Sequence, residues 1–295
     1  MLQIPDYPQF IALDFEHKAF FDQAFKKYPP QISEFTFTNL FSWREAYNYK
    51  VSIMDGLFIL RLGVGDPARF LQPIGVADPT ETMGRILEDT KGVFMRISEN
   101  VTGFFEKNSR FKVEEDRDNC DYLYLTSDLV NLPGRKYDGK RNQIKKFKSG
   151  YDYVYVDVNV ADTALILGFE ETWCNLKDCD HVEGLNNERQ VIHQIMEHFS
   201  DFDLMAGAIK VNGKIRAMAI AEALNADTLV MHILKADPAM AGLYQVMLND
   251  FLRVQAKAFK YVNLEQDLGI AGLRASKQSY QPISFIKKYT ISLKN

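Results

Sequence analysis

Apolar positions along this chain follow two spacings, one helical and one alternating, and the two succeed one another twice in the same order. Phe15, Phe20, Phe21, Phe25 and Tyr28 fall at helical spacing, which predicts a helix over Asp14–Tyr28 ended by Pro29-Pro30. A second helix is predicted over Ser42–Tyr49. Val51–Met54 and Leu57–Leu62 read as strands on either side of Asp55-Gly56, a dipeptide suited to a type I′ hairpin. Phe70–Val76 reads as a strand, Asp78-Pro79 as the cap and first position of a helix, and Val93–Ile97 as an apolar strand. Asp121–Thr126 is expected to close this first half.

The second half opens with a strand over Tyr151–Val158 and helices over Asp162–Leu176 and Asn187–Phe199. Leu204–Val211 and Ile215–Leu224 pair across Asn212-Gly213, and Thr228–Lys235 adds a third antiparallel strand. A helix from Pro238 buries Leu243, Met247, Phe251, Val254 and Ala258. Tyr261–Glu265 is the next strand, Ile270–Ser279 a short helix and Ser284–Leu293 the terminal strand.

The halves share more than order. Gly56 precedes Asp78 of Ala77-Asp78-Pro79 by 22 residues, and Gly213 precedes Asp237 of Ala236-Asp237-Pro238 by 24. After each motif come a helix and an apolar strand, Val93–Ile97 in one copy and Tyr261–Leu264 in the other. Internal similarity of this kind points to two copies of one unit. The order of strand, two helices, three antiparallel strands, helix, strand, helix, strand is that of the N-acetyltransferase-like fold. The expected class is therefore α+β, two tandem N-acetyltransferase-like domains with mixed sheets flanked by helices. Residues 1–128 would form a degenerate copy, 129–150 a basic connecting segment, and 151–295 the copy with the active cleft. In this fold the strands before and after the long helix splay apart, and the wedge between them takes the acyl donor.

Composition narrows the picture little further. A chain of 295 residues suits two domains, and a net charge of −4 excludes a surface that is basic throughout while leaving local patches open. No run approaches the roughly 20 apolar residues that span a bilayer. Met1-Leu2-Gln3-Ile4-Pro5-Asp6 has neither the basic start nor the apolar core of a secretory signal. Three cysteines without an even framework point to a reducing compartment, so a cytoplasmic location is expected. Cys174, Cys179, His181, His193 and His198 invite a metal, but pairs five apart diverge on a helix and no Cys-x-x-Cys is present. Two buried thiols, surface histidines and no metal are expected.

Three places carry candidate chemistry. Arg135, Lys136, Lys140, Arg141, Lys145, Lys146 and Lys148 face a single acid, Asp138, within 129–150. On a helix from Asp138, the residues Arg141, Lys145 and Lys148 form one stripe, either solvated or facing phosphates. At the helix start after Asp237-Pro238, free N–H groups favour an anion and Gly242 permits close approach. Acyl-CoA enzymes of this fold carry Gln/Arg-x-x-Gly-x-Gly/Ala there, and Ala239 and Tyr244 depart from that pattern. Near the C-terminus, Glu265 and Asp267 leave the end of a strand, and Arg274, Lys277 and Tyr280 step by three along one helix face. These groups would hold an amine, a carboxylate or a phosphate, or form a structural ion-pair network. His232, with Glu222 on the neighbouring strand, reads as a base or as a satisfied core histidine.

Several motifs are familiar. They are Asp116-Arg117-Asp118-Asn119-Cys120-Asp121-Tyr122, Leu132-Pro133-Gly134-Arg135-Lys136-Tyr137-Asp138-Gly139-Lys140-Arg141-Asn142, and Lys235-Ala236-Asp237-Pro238 with Gly242-Leu243-Tyr244-Gln245. To these add Glu265-Gln266-Asp267-Leu268-Gly269, Gly272-Leu273-Arg274, Lys277 and Tyr280-x-Pro282. Over nearly its whole length the chain resembles the phosphatidylglycerol lysyltransferase C-terminal domain-like family, and most of all its stand-alone bacterial members. The resemblance implies a tandem fold similar to peptidoglycan-branching aminoacyl-tRNA transferases. Relatives move an aminoacyl group from aminoacyl-tRNA to a lipid hydroxyl or a peptide amine, and this chain lacks the multi-helix membrane portion of the lipid-modifying members. Carried over by motif, Gly134–Asn142 would face a polyanion and Glu265–Tyr280 would line the cleft.

The expected activity is aminoacyl or acyl transfer, aminoacyl-tRNA being the donor and an amine or hydroxyl of a small molecule or peptide the acceptor. Glu265 or Asp267 would serve as base or amine holder, with Arg274 and Lys277 offsetting negative charge and His232 as a further candidate. Tyr280, Glu222 and Gly242 would contact substrate, and Arg135, Lys136, Lys140, Arg141 and Asn142 the phosphates of a tRNA. Two alternatives stand beside this reading: an acyl-CoA donor, and a non-catalytic protein that binds a small charged metabolite.

Overall fold

The computed structural model describes residues 3–76 and 78–294. Ala77 of the first Ala-Asp-Pro motif and the Met1-Leu2 start lie outside them. The chain forms two compact units, each assembled from separate segments. The first comprises Met1–Asp121, Gln266–Ala271 and Phe285–Asn295, and the second Tyr122–Glu265 and Gly272–Ser284.

Strands β1 to β6 are Ile11–Ala12, Lys50–Met54, Leu57–Leu62, Arg69–Leu71, Val93–Ser98 and Phe111–Glu115. Then follow β7 (Asp121–Leu125), β8 (Tyr153–Asp157), β9 (Leu204–Val211), β10 (Lys214–Ala223), β11 (Thr228–Ala236) and β12 (Tyr261–Asn263). The last two are β13 (Ser284–Ile286) and β14 (Lys288–Leu293). One seven-stranded sheet runs β1-β2-β3-β4-β5-β14-β6 and the other β13-β7-β12-β11-β10-β9-β8. Both are mixed, and in each a parallel pair, β4–β5 or β11–β12, follows the antiparallel hairpins.

Two strands differ from the sequence reading. The strand at Asp121, expected to close the first unit, pairs antiparallel with β12 in the second sheet. The single terminal strand expected over Ser284–Leu293 is split, and its second part, β14, lies between β5 and β6 in the first sheet. Side-chain chemistry accounts for both placements. Tyr122 and Tyr124 of β7 are fully buried in the core of the second unit, and Ile291 of β14 in that of the first.

Lys288, which opens β14, is completely buried. It is held by Asp121 at 2.6 Å, by Glu34 and by Ser33 Oγ at 3.3 Å. Arg96 adds a guanidinium 2.8 Å from Glu34 and 2.9 Å from Asp116. Burial opposes the Lys288 charge, yet Asp121 and Glu34 hold its pKa above the ordinary value. A buried cation of this kind is tolerated only with its partners in place, so it fixes where β14 docks.

In the second unit, helix α1 (Asp138–Gly150) follows the Gly134 turn and buries Phe147. Helices α2 (Thr163–Lys177) and α3 (Glu183–Glu197) come next. Helix α4 (Leu243–Gln255) buries Leu243, Val246, Met247, Phe251 and Leu252 along one apolar face, whereas Val254, expected on it, is exposed. Helix α5 (Ala271–Gln278) follows β12. The expected pair of free thiols at Cys174 and Cys179 is instead a disulfide. Helix α2 stops at Lys177 because Asp178 turns left-handed (φ 56°), which folds Cys179 back to a Cα–Cα distance of 5.1 Å. The divergence expected of residues five apart holds only while the helix continues. Cys120 is the free cysteine.

Candidate functional site

Strands β11 and β12 pair only over Thr228–Val230 and Tyr261–Asn263, while β11 runs on to Ala236. Pairing stops at Val230 and Asn263, where β12 ends and β11 continues alone. His232 lies two residues past the last of these pairs and is set apart by its backbone. Ile220 of β10 faces Ile233 and Ala221 faces Met231, so His232 is the extra residue of a β-bulge. Bulges re-aim a side chain that a regular strand would commit to the core.

The imidazole lies between two carboxylates. Nε2 is 2.7 Å from Glu222 Oε1 and Nδ1 is 2.8 Å from Glu265 Oε1. The His232 side chain is 5% exposed, Glu222 11% and Glu265 20%, so Glu265 is the most open of the three. Burial works against a charged imidazole, but the hydrogen bonds and charges of Glu222 and Glu265 outweigh it and raise the pKa to about 10. At neutral pH the ring is an imidazolium that donates through both nitrogens.

Glu265 stands in a left-handed conformation, φ 57°, which an L residue adopts only when its surroundings impose it. They do: the completely buried Asn263 accepts the Glu265 N–H through Oδ1 at 2.7 Å, and the Glu265 carbonyl accepts from Tyr122 N. Lys277 of α5 donates Nζ to the carbonyl of Leu264, next to Glu265, and Tyr124 donates its hydroxyl to the Lys277 carbonyl at 2.7 Å. Arg274 lies one turn earlier on α5 and is partly exposed.

Other expected residues go elsewhere. Asp267 belongs to the first unit, where its buried carboxylate accepts from Gly269 N at 2.9 Å and pairs with Arg117 at 3.3 Å. Two residues past Glu265, the chain has already turned. Gly242 (φ 91°) opens α4, but an added Cβ there would meet the Gln143 carbonyl oxygen at 2.4 Å and Phe147 Cβ at 3.1 Å. The close approach that glycine allows is made to α1, the basic helix, and not left open for a pyrophosphate.

Arg141 donates to the carbonyls of Leu132 and Gly134 and pairs with Asp138, so it ties the 132–138 turn. Lys140 lies over the Tyr280 ring at 3.8 Å, and burial lowers its pKa. Lys136 is 3.6 Å from Asp128 and Lys148 3.1 Å from Asp250. Arg135, Asn142, Lys145 and Lys146 are exposed. Sequence reading also missed a second ionic group on β11. Lys235 is 2.7 Å from buried Glu170 and 2.8 Å from Glu188, beneath the Trp173 ring at 4.0 Å. Its signal was the Lys235-Ala236-Asp237-Pro238 motif, read for its turn and not for its lysine.

Comparison with known proteins gives the family and the fold. The family model described as phosphatidylglycerol lysyltransferase, C-terminal, matches residues 25–292. An uncharacterized protein of Mycoplasmoides gallisepticum is 26% identical over 174 residues, 58% of this chain and 56% of that protein. The chain thus spans little more than half the length of that relative. The crystal structure of a conserved protein of unknown function from Bacteroides thetaiotaomicron VPI-5482 superposes with a TM-score of 0.89 at 31% identity, covering 99% of this chain and all of the other (100%). L-PGS from Bacillus licheniformis superposes at 0.67 with 12% identity, covering 100% of this chain and 95% of that one, a likeness of fold alone. The tandem N-acetyltransferase-like architecture expected from the element order is the architecture of this chain.

Proposed function

The chain belongs to the phosphatidylglycerol lysyltransferase, C-terminal, family, and we propose that it is an aminoacyl- or acyltransferase whose chemistry centres on Glu222, His232 and Glu265. The observation that carries this reading is the histidine at the bulge, clamped by two carboxylates just past the last β11–β12 pair. A core histidine with no further role needs one partner, not two acids, one buried and one partly exposed, and a backbone held in a strained conformation.

The donor is an aminoacyl ester on tRNA and the acceptor a primary amine. The amine nitrogen attacks the ester carbonyl, the new N–C bond forms, and the C–O bond to the ribose breaks. The nitrogen loses a proton and the ribose oxygen gains one. His232 already holds its proton, so the acceptor of the amine proton is a carboxylate, and Glu265 is the more open of the two. The imidazolium fixes both carboxylates and offsets negative charge developing on the carbonyl oxygen.

Phosphate contacts fall to the exposed Arg135, Lys145 and Lys146, because Arg141 and Lys140 are engaged within the fold. Gel shift at low salt with bulk aminoacyl-tRNA tests this: Lys145→Glu with Lys146→Glu should weaken binding at least tenfold. Binding that the double variant leaves unchanged removes this surface from the reading. The packing of Gly242 against Gln143 counts against an acyl-CoA donor, and calorimetry with acetyl-CoA should give no heat of binding.

A further inference from the structure

A groove of about 380 Å³ lies in the second unit, away from the three residues assigned above. One wall is α2, which presents Leu165, Phe169, Trp173 and Leu176 along one side, three turns in all. The other wall is the β9–β10 hairpin, which brings Lys210, Lys214 and Arg216. Leu165 and Leu176 are 53% and 59% exposed, an unusual amount for leucines that sit in one continuous depression.

The charges in the groove do not cancel. Its acid, Asp237, is taken by Arg216 at 3.0 Å and by the Ala239 N–H at 3.0 Å. Lys210 and Lys214 flank the Asn212-Gly213 turn and enter no ion pair among the described residues. The groove therefore offers an apolar floor with two uncompensated ammonium groups at one rim, in the size range of small-molecule sites. Trp173 is rigidly placed, its Nε1 donating to the Ala236 carbonyl at 3.0 Å.

We infer that this groove binds a small amphipathic organic anion, its apolar body along α2 and its carboxylate or phosphate at Lys210 and Lys214. Such a ligand would rest on Trp173 and Asp237, which adjoin Lys235 on β11, and its binding is independent of the activity assigned to His232.

Gly168 supplies a clean test. It lies on the groove side of α2, and an added Cβ there meets nothing within 4 Å. Gly168→Leu should fill the groove while leaving the helix at least as stable, since glycine is the poorer helix former. The experiment titrates the full chain with dodecanoate, following tryptophan fluorescence and calorimetry, with Trp173→Phe to show where the signal arises. Saturable binding is expected, with dodecyltrimethylammonium at least tenfold weaker. Both Gly168→Leu and the pair Lys210→Glu, Lys214→Glu should weaken dodecanoate at least tenfold, with thermal unfolding unchanged or raised for the first. Equal binding of anion and cation, or affinity that neither variant alters, overturns the inference. So does a Trp173 response to anionic lipid vesicles with none to dodecanoate.

Discussion

Replacing His232 by glutamine keeps a hydrogen-bonding side chain between Glu222 and Glu265 but removes the positive charge. An imidazole raised from 6.5 to about 10 favours its protonated form by roughly 5 kcal/mol, at about 1.4 kcal/mol per tenfold change in proton affinity. The folded-state pKa lies above the unfolded one. The contribution to stability is therefore complete below pH 6.5 and is lost as pH rises through about 10. At pH 6 the variant also leaves the buried Glu222 and the partly exposed Glu265 without the cation between them, so it should be less stable by on the order of 3 kcal/mol or more. That gap should shrink by most of its value by pH 10.5. Urea unfolding of both proteins at half-unit steps from pH 6 to 10.5 measures it, and the difference between them cancels the other tyrosines and lysines that titrate there. A gap that stays constant with pH, or an imidazole NMR signal titrating near 6.5, would refute the reasoning.

Other consequences follow from single contacts. Lys288→Met leaves Glu34 and Asp121 buried without their ammonium, and urea unfolding should show a loss of about 3–5 kcal/mol. Gly242→Ala places a Cβ 2.4 Å from the Gln143 oxygen at a left-handed φ, and should cost roughly 2 kcal/mol or more in thermal unfolding with no ligand present. Thiol titration of the unfolded protein should count one free thiol, Cys120, before reduction and all three cysteines after it. Asn263→Ala frees the Glu265 N–H and should shift the pH dependence of any transfer activity more than it alters global stability.

Element order was legible because helical and alternating periods are local. Which sheet a strand joins was not. Alternation tells which residues face a core, but β7 and β14 find theirs through partners far along the chain, Lys288 pairing with Glu34 across 254 positions. The Glu222–His232 pair could be read because it spans a single hairpin, ten residues apart. The bulge that turns His232 to Glu222 leaves no composition signal. Glu265 and Asp267 look equivalent in sequence, yet a left-handed residue and a turn at Gly269 send them into different units. Arg141 read as a phosphate ligand because charge alone does not show that neighbouring carbonyls already claim it.

The most direct test charges bulk tRNA with a radiolabelled amino-acid mixture and offers the protein a panel of primary amines, scoring labelled amide above the uncatalysed rate. The wild-type chain should form amide with at least one amine, and Glu265→Gln and His232→Gln, each verified as folded, should lose it by at least a hundredfold. Amide formation that survives both substitutions would place the chemistry away from the clamped histidine and contradict the account.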